Sequence, residues 1–184
     1  MTWQVDKSHT HVTFVARHMM VAKVRGEFSN YEVEVEYNED TPSLSSVKAV
    51  IYTDSINTRD ERRDGHLRSA DFFDVTNYPT MTFESKNVEQ LPNGNGRING
   101  DLTIRGVARP VVLDVESYGQ ATSPWGTTSA GFCATTKIDR KDWGLTWNQA
   151  LEAGGWLVSD QINIEIEIEL VKVPETVAEP AMEA

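Results

Sequence analysis

The stretch Gln161-Ile162-Asn163-Ile164-Glu165-Ile166-Glu167-Ile168-Glu169-Leu170 alternates without a break. Successive side chains of a strand point to opposite faces, so this segment has one wholly apolar face and one wet face. The same period of two gives Tyr31, Val33, Val35 and Tyr37 opposite Glu32, Glu34 and Glu36. It also gives Ile98, Leu102 and Ile104 opposite Asn99, Asp101, Thr103 and Arg105. Further strands are predicted over Val12 to His18, Val47 to Ile56, Thr80 to Val88, Val111 to Tyr118 and Ser129 to Ile138. About eight half-buried strands is the number that closes a small up-and-down barrel. The turn-rich segments between them, such as Pro92-Asn93-Gly94-Asn95-Gly96, make neighbours antiparallel. The expected fold is therefore all-β, a closed antiparallel eight-stranded barrel.

Two segments break the alternation. Thr58-Arg59-Asp60-Glu61 has the spacing of a capping box and predicts a short helix to about Ser69. Asp139 to Val158, rich in Trp and Gly, has neither period and is expected to be an irregular connection over one barrel end. Residues 1–173 are read as one domain, and the Pro-, Glu- and Ala-rich residues 174–184 as a disordered acidic tail.

The net charge of −11 repels phosphate backbones, so no nucleic-acid partner is expected. No stretch approaches the ~20 apolar residues of a spanning helix, and no stable membrane insertion is expected. The opening Met1 to Asp6 carries no basic and apolar leader, which gives the expectation of a cytoplasmic protein. A single cysteine, Cys133, excludes an intrachain disulfide and a Cys-based zinc site. It lies on the outward parity opposite Phe132.

Inward parity selects Phe14, Ala16, His18, Met81, Phe83, Leu102, Ile104, Leu113, Phe132 and Ala134. Small residues recur among the large ones: Ala16, Ser85, Gly100, Ala130 and Ala134. An eight-stranded interior is either filled by side chains or just roomy enough for one small ligand, and the alternation leaves both open. A tunnel of this kind would be lined by carbon and would suit a lipid-like chain. Phe72, Phe73, Trp143 and Trp147 are candidates for its mouth. Arg59, Arg62, Arg63 and His66 share a helical face by i, i+3 and i+4 spacing and are candidates for holding a polar head group; Asp60 and Asp64 interleave with them, as on an ordinary solvated face.

His9-Thr10-His11 invites a metal-dependent enzyme or sensor, but His9 and His11 have the parity opposite His18, so no metal or other cofactor is expected. Gly-x-Ser-x-Gly, His-Glu-x-x-His and phosphate-binding glycine loops are absent, and the chain does not read as an enzyme. A protein-interaction module using the outer strand faces, as a homodimer, is a third reading.

Several blocks together resemble the YceI-like family of polyisoprenoid-binding proteins. They are Trp3-x-Val5-Asp6-x-x-His9-x-x-Val12-x-Phe14 with His18, Gly26-x-Phe28, Ser55-Ile56-Asn57-Thr58 and Arg63-Asp64-Gly65-His66-Leu67-Arg68-Ser69-x-Asp71-Phe72-Phe73. Tyr78-Pro79-Thr80-Met81-x-Phe83-x-Ser85, Gly100-Asp101-Leu102-Thr103-Ile104-Arg105-Gly106 and Asp139-Arg140-x-Asp142-Trp143-Gly144-Leu145 continue the match. His9-Thr10 stands where the family pattern has His-Ser and keeps a hydroxyl. The resemblance implies an extended lipocalin-like barrel whose apolar pore holds a polyprenyl chain or an isoprenoid quinone, for transport or storage rather than catalysis.

Overall fold

A computed structural model describes residues 2–174; the tail expected from residue 174 lies, beyond that residue, outside the described part. The strands are β1 (Thr2–Val5), β2 (His11–His18), β3 (Ala22–Phe28), β4 (Tyr31–Glu36), β5 (Ser46–Tyr52), β6 (Ile56–Asn57), β7 (Thr80–Gln90), β8 (Gly96–Ile104), β9 (Val107–Thr122), β10 (Thr128–Asp139) and β11 (Gln161–Val173). One α-helix, α1 (Glu61–Arg68), follows β6.

All strand pairs are antiparallel, in the order β4-β5-β7-β8-β9-β10-β11-β2-β3-β6. β1 also pairs with β11, at Leu170 to Val173, beyond the stretch Asn163 to Glu167 that pairs with β2. This differs from the expected closed ring of eight: there are eleven strands among the described residues, and the ladder has two ends. β3 runs into β4 through the two-residue link Ser29-Asn30. There the Ser29 amide donates to the Ser55 carbonyl at 3.3 Å, and the Tyr52 amide donates to the Asn30 carbonyl at 3.0 Å.

The sheet curls because its apolar faces bury against one another. Phe28, Ile51, Ile56, Met81, Phe83, Ile104, Val111, Leu113 and Ala134 form one buried cluster with Phe72, Trp143 and Leu145. Trp3, Ala130 and Leu170 form a second at the far end, with Tyr37 and Phe132 packed on it. Of the small inward residues, Ala130 is covered by this far-end cluster. At Gly100 the Phe83 ring occupies the place of the missing side chain, and across the β2–β3 pair Phe14 does the same over Gly26. Ala16 and Ala134 alone of the five leave space, because the Ser85 hydroxyl is taken by the Val47 amide at 2.9 Å.

The helix starts later than the capping-box reading placed it. Asp60, not Thr58, is the N-cap and accepts from the Arg63 amide at 3.0 Å. Thr58 is diverted: its amide and hydroxyl both donate to the buried Asp64 carboxylate, at 2.9 and 2.5 Å. Arg59 therefore precedes the helix, in a left-handed conformation with φ 64°, and does not share the face of Arg62 and His66.

The β2–β3 hairpin turns through Met19 and Met20, both at positive φ (50° and 62°), with the Val21 amide donating to the His18 carbonyl at 3.1 Å. His18 pairs with Ala22, so the loop is Met19 to Val21, and its two left-handed positions suit Asn and Gly better than a long apolar side chain. Met19→Asn combined with Met20→Gly is expected to raise stability by about 1 kcal/mol, read as a higher urea midpoint at unchanged slope.

Candidate ligand cavity and its mouth

Between the curled faces lies a cavity of about 210 Å³ that exposes only apolar surface. Phe14 and Ala16 from β2, Met81 and Phe83 from β7, Leu102 and Ile104 from β8, Leu113 from β9 and Ala134 from β10 line it. Phe72 and Phe73, from the segment after α1, cover one side. A second cavity of about 250 Å³ continues toward the far end, where Phe132 lines it. The two share Val47, Ile98, Ala134, Ile166 and Ile168. Along β11 the lining runs through Ile162, Ile164, Ile166, Ile168 and Leu170, so the period of two that sets the fold also sets the wall of the space. Eight residues of strand span roughly 26 Å.

At the α1 end the cavity meets a mouth of about 720 Å³, with Phe14, Ala16, Leu67, Phe72 and Val158 common to both. His18, Arg62, Arg63, His66 and Trp147 line this mouth. His18 thus sits at the rim and not inside the tunnel. Trp147 packs edge-on against His66, with centroids 4.6 Å apart, and His66 Nε2 lies 2.8 Å from Asp71 Oδ2. Arg63 is consumed locally: its Nε donates to the Thr58 hydroxyl and Nη2 to the Thr58 carbonyl, both at 2.7 Å. Arg59 faces a separate groove shared with Lys23, Arg25 and Lys137. Of the three head-group candidates in the mouth, His66 is paired with Asp71 and Arg63 is held by Thr58, which leaves Arg62 with neither an ion pair nor a side-chain hydrogen bond among the described residues.

Trp143 is not a mouth residue. It is 3% exposed, and its Nε1 donates to the Leu102 carbonyl at 2.9 Å, pinning the 140–160 segment to β8. The residue that organises this segment is Arg140, 5% exposed, which the alternation did not single out for any role. Its Nε donates to the Ser159 carbonyl at 2.9 Å, and its Nη1 to the carbonyls of Leu145 at 2.6 Å and Trp147 at 2.9 Å. Nη2 lies 3.5 Å from Asp160 Oδ1 without a good hydrogen bond. Burial pulls the guanidinium below its ordinary pKa, opposed by Asp160 and Asp139. A group whose unperturbed pKa is above 12 stays charged regardless.

The four imidazoles do not converge. His11 is exposed on the outer face, while His9 joins Asp6 and Glu169. These three are the described residues whose donor atoms could hold a metal ion, but Asp6 is already engaged. Its Oδ1 accepts from the Ser8 amide at 2.8 Å and the Ser8 hydroxyl at 2.6 Å, and Oδ2 lies 2.9 Å from His9 Nδ1. The Ser8 and His9 bonds hold the Asp6 carboxyl down to about 2 from 3.8. The Asp6 bond in turn raises His9 above 6.5. A depressed carboxyl stabilises the fold above its unfolded pKa and loses that contribution as pH falls from about 3.8 to about 2. Acid titration of stability should therefore be shallower in that window for Asp6→Asn than for the parent chain. His9 contributes with the opposite sign, below 6.5, and its share fades as pH rises through its elevated value.

Cys133 has outward parity but is only 8% exposed, and its thiol is in hydrogen-bond contact with the Tyr118 hydroxyl. Burial raises the thiol, and the contact with Cys133 pushes the Tyr118 hydroxyl up to about 12.

The model of the YceI-like domain matches residues 3–170, nearly the whole described chain. The chain belongs to the YceI-like family. Among family members, UPF0312 protein SA2479 of Staphylococcus aureus is 36% identical over 165 residues, covering 89% of this chain and 94% of the relative. The YCEI protein of Campylobacter jejuni superposes with a TM-score of 0.75 at 33% identity, over 86% of this chain and 90% of that one. A polyisoprenoid binding domain from Saccharophagus degradans shares the fold, with a TM-score of 0.61 at 13% identity over 95% and 99% of the two chains. Within this YceI-like chain no helix of the described residues is long and apolar enough to cross a membrane.

Proposed function

We propose that this protein binds a slender isoprenoid lipid, a polyprenyl chain or an isoprenoid quinone, as a carrier or store. The observation that carries the reading is the pair of joined cavities along alternate residues of β11, the inner one exposing no polar atom. Either cavity alone falls below the ~300 Å³ of an ordinary small-molecule site, and joined end to end they exceed it. A long narrow space fits a chain better than a fused ring system. Each methylene removed from water is worth about 0.8 kcal/mol, so a few isoprene-sized units supply useful affinity after ordering costs. The resemblance to polyisoprenoid-binding proteins supports the isoprenoid class over a straight acyl chain. Within the inner cavity carbon alone faces the ligand and no group is placed to move a proton, which supports binding over catalysis there.

The architecture fits the same reading. Taking β1 with β2, β3 with β4 and β5 with β6 as bent single staves gives eight staves, and the Ser29-Asn30 link joins β3 to β4. A closed barrel of eight is the size that keeps room for one small ligand. Arg62 at the mouth is the candidate partner for a polar head, and a cytoplasmic site of action belongs to the same proposal.

Solvent extraction of the purified protein, with mass spectrometry of the extract and of the intact protein, tests it. A prenyl lipid recovered at near-stoichiometric ratio is the expected result. An empty protein that also takes up no offered polyprenyl compound would overturn it.

A further inference from the structure

The hairpin that turns through Met19 and Met20 ends in an apolar tip for which the barrel itself has no use. Met19, Met20 and Val21 are 45%, 66% and 82% exposed, and Trp156 beside them is 56% exposed. The four form one patch: the Met19 amide donates to the Leu157 carbonyl at 2.8 Å, and Met20 packs over Gly155, next to Trp156. Two methionines occupy left-handed positions that Asn-Gly would fill without strain, so turn chemistry does not explain them.

Charge on the same hairpin is equally unexplained by folding. Arg17 and Lys23 lie directly opposite each other on the outer face, with Arg25 two residues further along. Like charges so placed repel. Within the described residues none of the three is in a salt bridge. Lys23 and Arg25 share a groove with Arg59, Arg63 and Lys137, alongside Glu27, Asp114 and Glu165, and Arg17 lines the mouth with Arg62, Arg63 and the single carboxylate Asp60. Glu152 lies in the turn next to the apolar tip. In a chain of net charge −11, this end concentrates cations around an exposed apolar tip, and it is the end at which the cavity opens.

We propose that this end docks reversibly on an anionic lipid bilayer: Met19, Met20, Val21 and Trp156 enter the headgroup and acyl boundary, and Arg17, Lys23, Arg25 and Arg62 face the anionic headgroups. Apolar insertion combined with a cationic surround is the physical signature of interfacial binding, and here it brings the cavity mouth to the membrane. The inference rests on the lipid-carrier reading for its purpose but not for its test.

Flotation of the full chain with vesicles of phosphatidylcholine containing phosphatidylglycerol, against vesicles of phosphatidylcholine alone, decides it. Binding is expected to the anionic vesicles, falling as salt rises from 50 to 500 mM, which shortens the screening length from over 10 Å to under 8 Å. Met19→Asn with Met20→Gly is expected to weaken it about tenfold while leaving the fold intact, as its urea midpoint will report. Replacing either Arg17 or Lys23 by Ser is expected to weaken it about fivefold, from roughly 1 kcal/mol per surface cation. No flotation of the parent chain at low salt, or flotation unchanged in the methionine variant, would overturn the proposal. So would a concentration-dependent dimer that the methionine variant abolishes in the absence of vesicle binding, since the patch would then face a second copy. Flotation without extractable lipid would sink the carrier reading and keep the docking; extractable lipid without flotation would do the reverse.

Discussion

Arg140→Leu is expected to destabilise the protein by about 3 kcal/mol. The guanidinium serves three backbone carbonyls, of Leu145, Trp147 and Ser159, in a segment with little regular structure. Removing it leaves those oxygens without donors at a site where water has poor access, each at about 1–3 kcal/mol before relaxation. Asp160 adds less than a fully buried partner would, because it is 37% exposed and also pairs with Lys141 at 2.9 Å. Arg140→Lys keeps the charge but replaces a planar fork by one flexible ammonium, and it is expected to recover only part of the loss. Urea unfolding gives both numbers. A retained m-value would show that the whole sheet loses stability together; a lowered one would show that the 140–160 segment detaches first. Trp147 belongs to that segment and stands over His66 at the mouth, so the same variant should also release bound lipid faster.

The dependence on Arg140 explains where sequence reading stopped. Strand faces were legible because burial on one side enforces a period of two, and the inward residues Phe14, Ala16, Met81, Phe83, Leu102, Ile104, Leu113 and Ala134 all line the inner cavity. β3 was not anticipated, although Val24, Gly26 and Phe28 alternate with Lys23, Arg25 and Glu27. A glycine at the centre of the inward face hides the pattern, and its reason, the Phe14 ring lying over it, is a cross-strand fact. Small residues misled in the opposite direction, since Gly100 and Ala130 look like unfilled volume until the aromatic rings that cover them are placed. The helix start shifted because Thr58 spends its hydroxyl on Asp64, a choice between two local hydrogen bonds that spacing does not rank. Partners of Arg140 are backbone carbonyls, which every residue carries, so nothing in the sequence points to them.

Ala134→Phe is the substitution that separates a channel from a packed core. Ala134 sits opposite Val115 on β9 and Ile166 on β11, and it lines both cavities where they join. In a packed interior, adding a ring would force neighbours off their rotamers at about 1–3 kcal/mol. In a channel, the ring has space to occupy and gains contacts in place of the ligand, so thermal stability of the lipid-free protein should hold or rise. Uptake of an offered polyprenyl compound should then fall by about tenfold or more, since one ring at the waist divides a long space into two, each smaller than an ordinary site. Thr135→Phe, one residue along and exposed on the outer face, should change neither quantity. Loss of stability with uptake unchanged would mean that the ligand does not pass Ala134, and that the two cavities are packing defects on either side of a closed core.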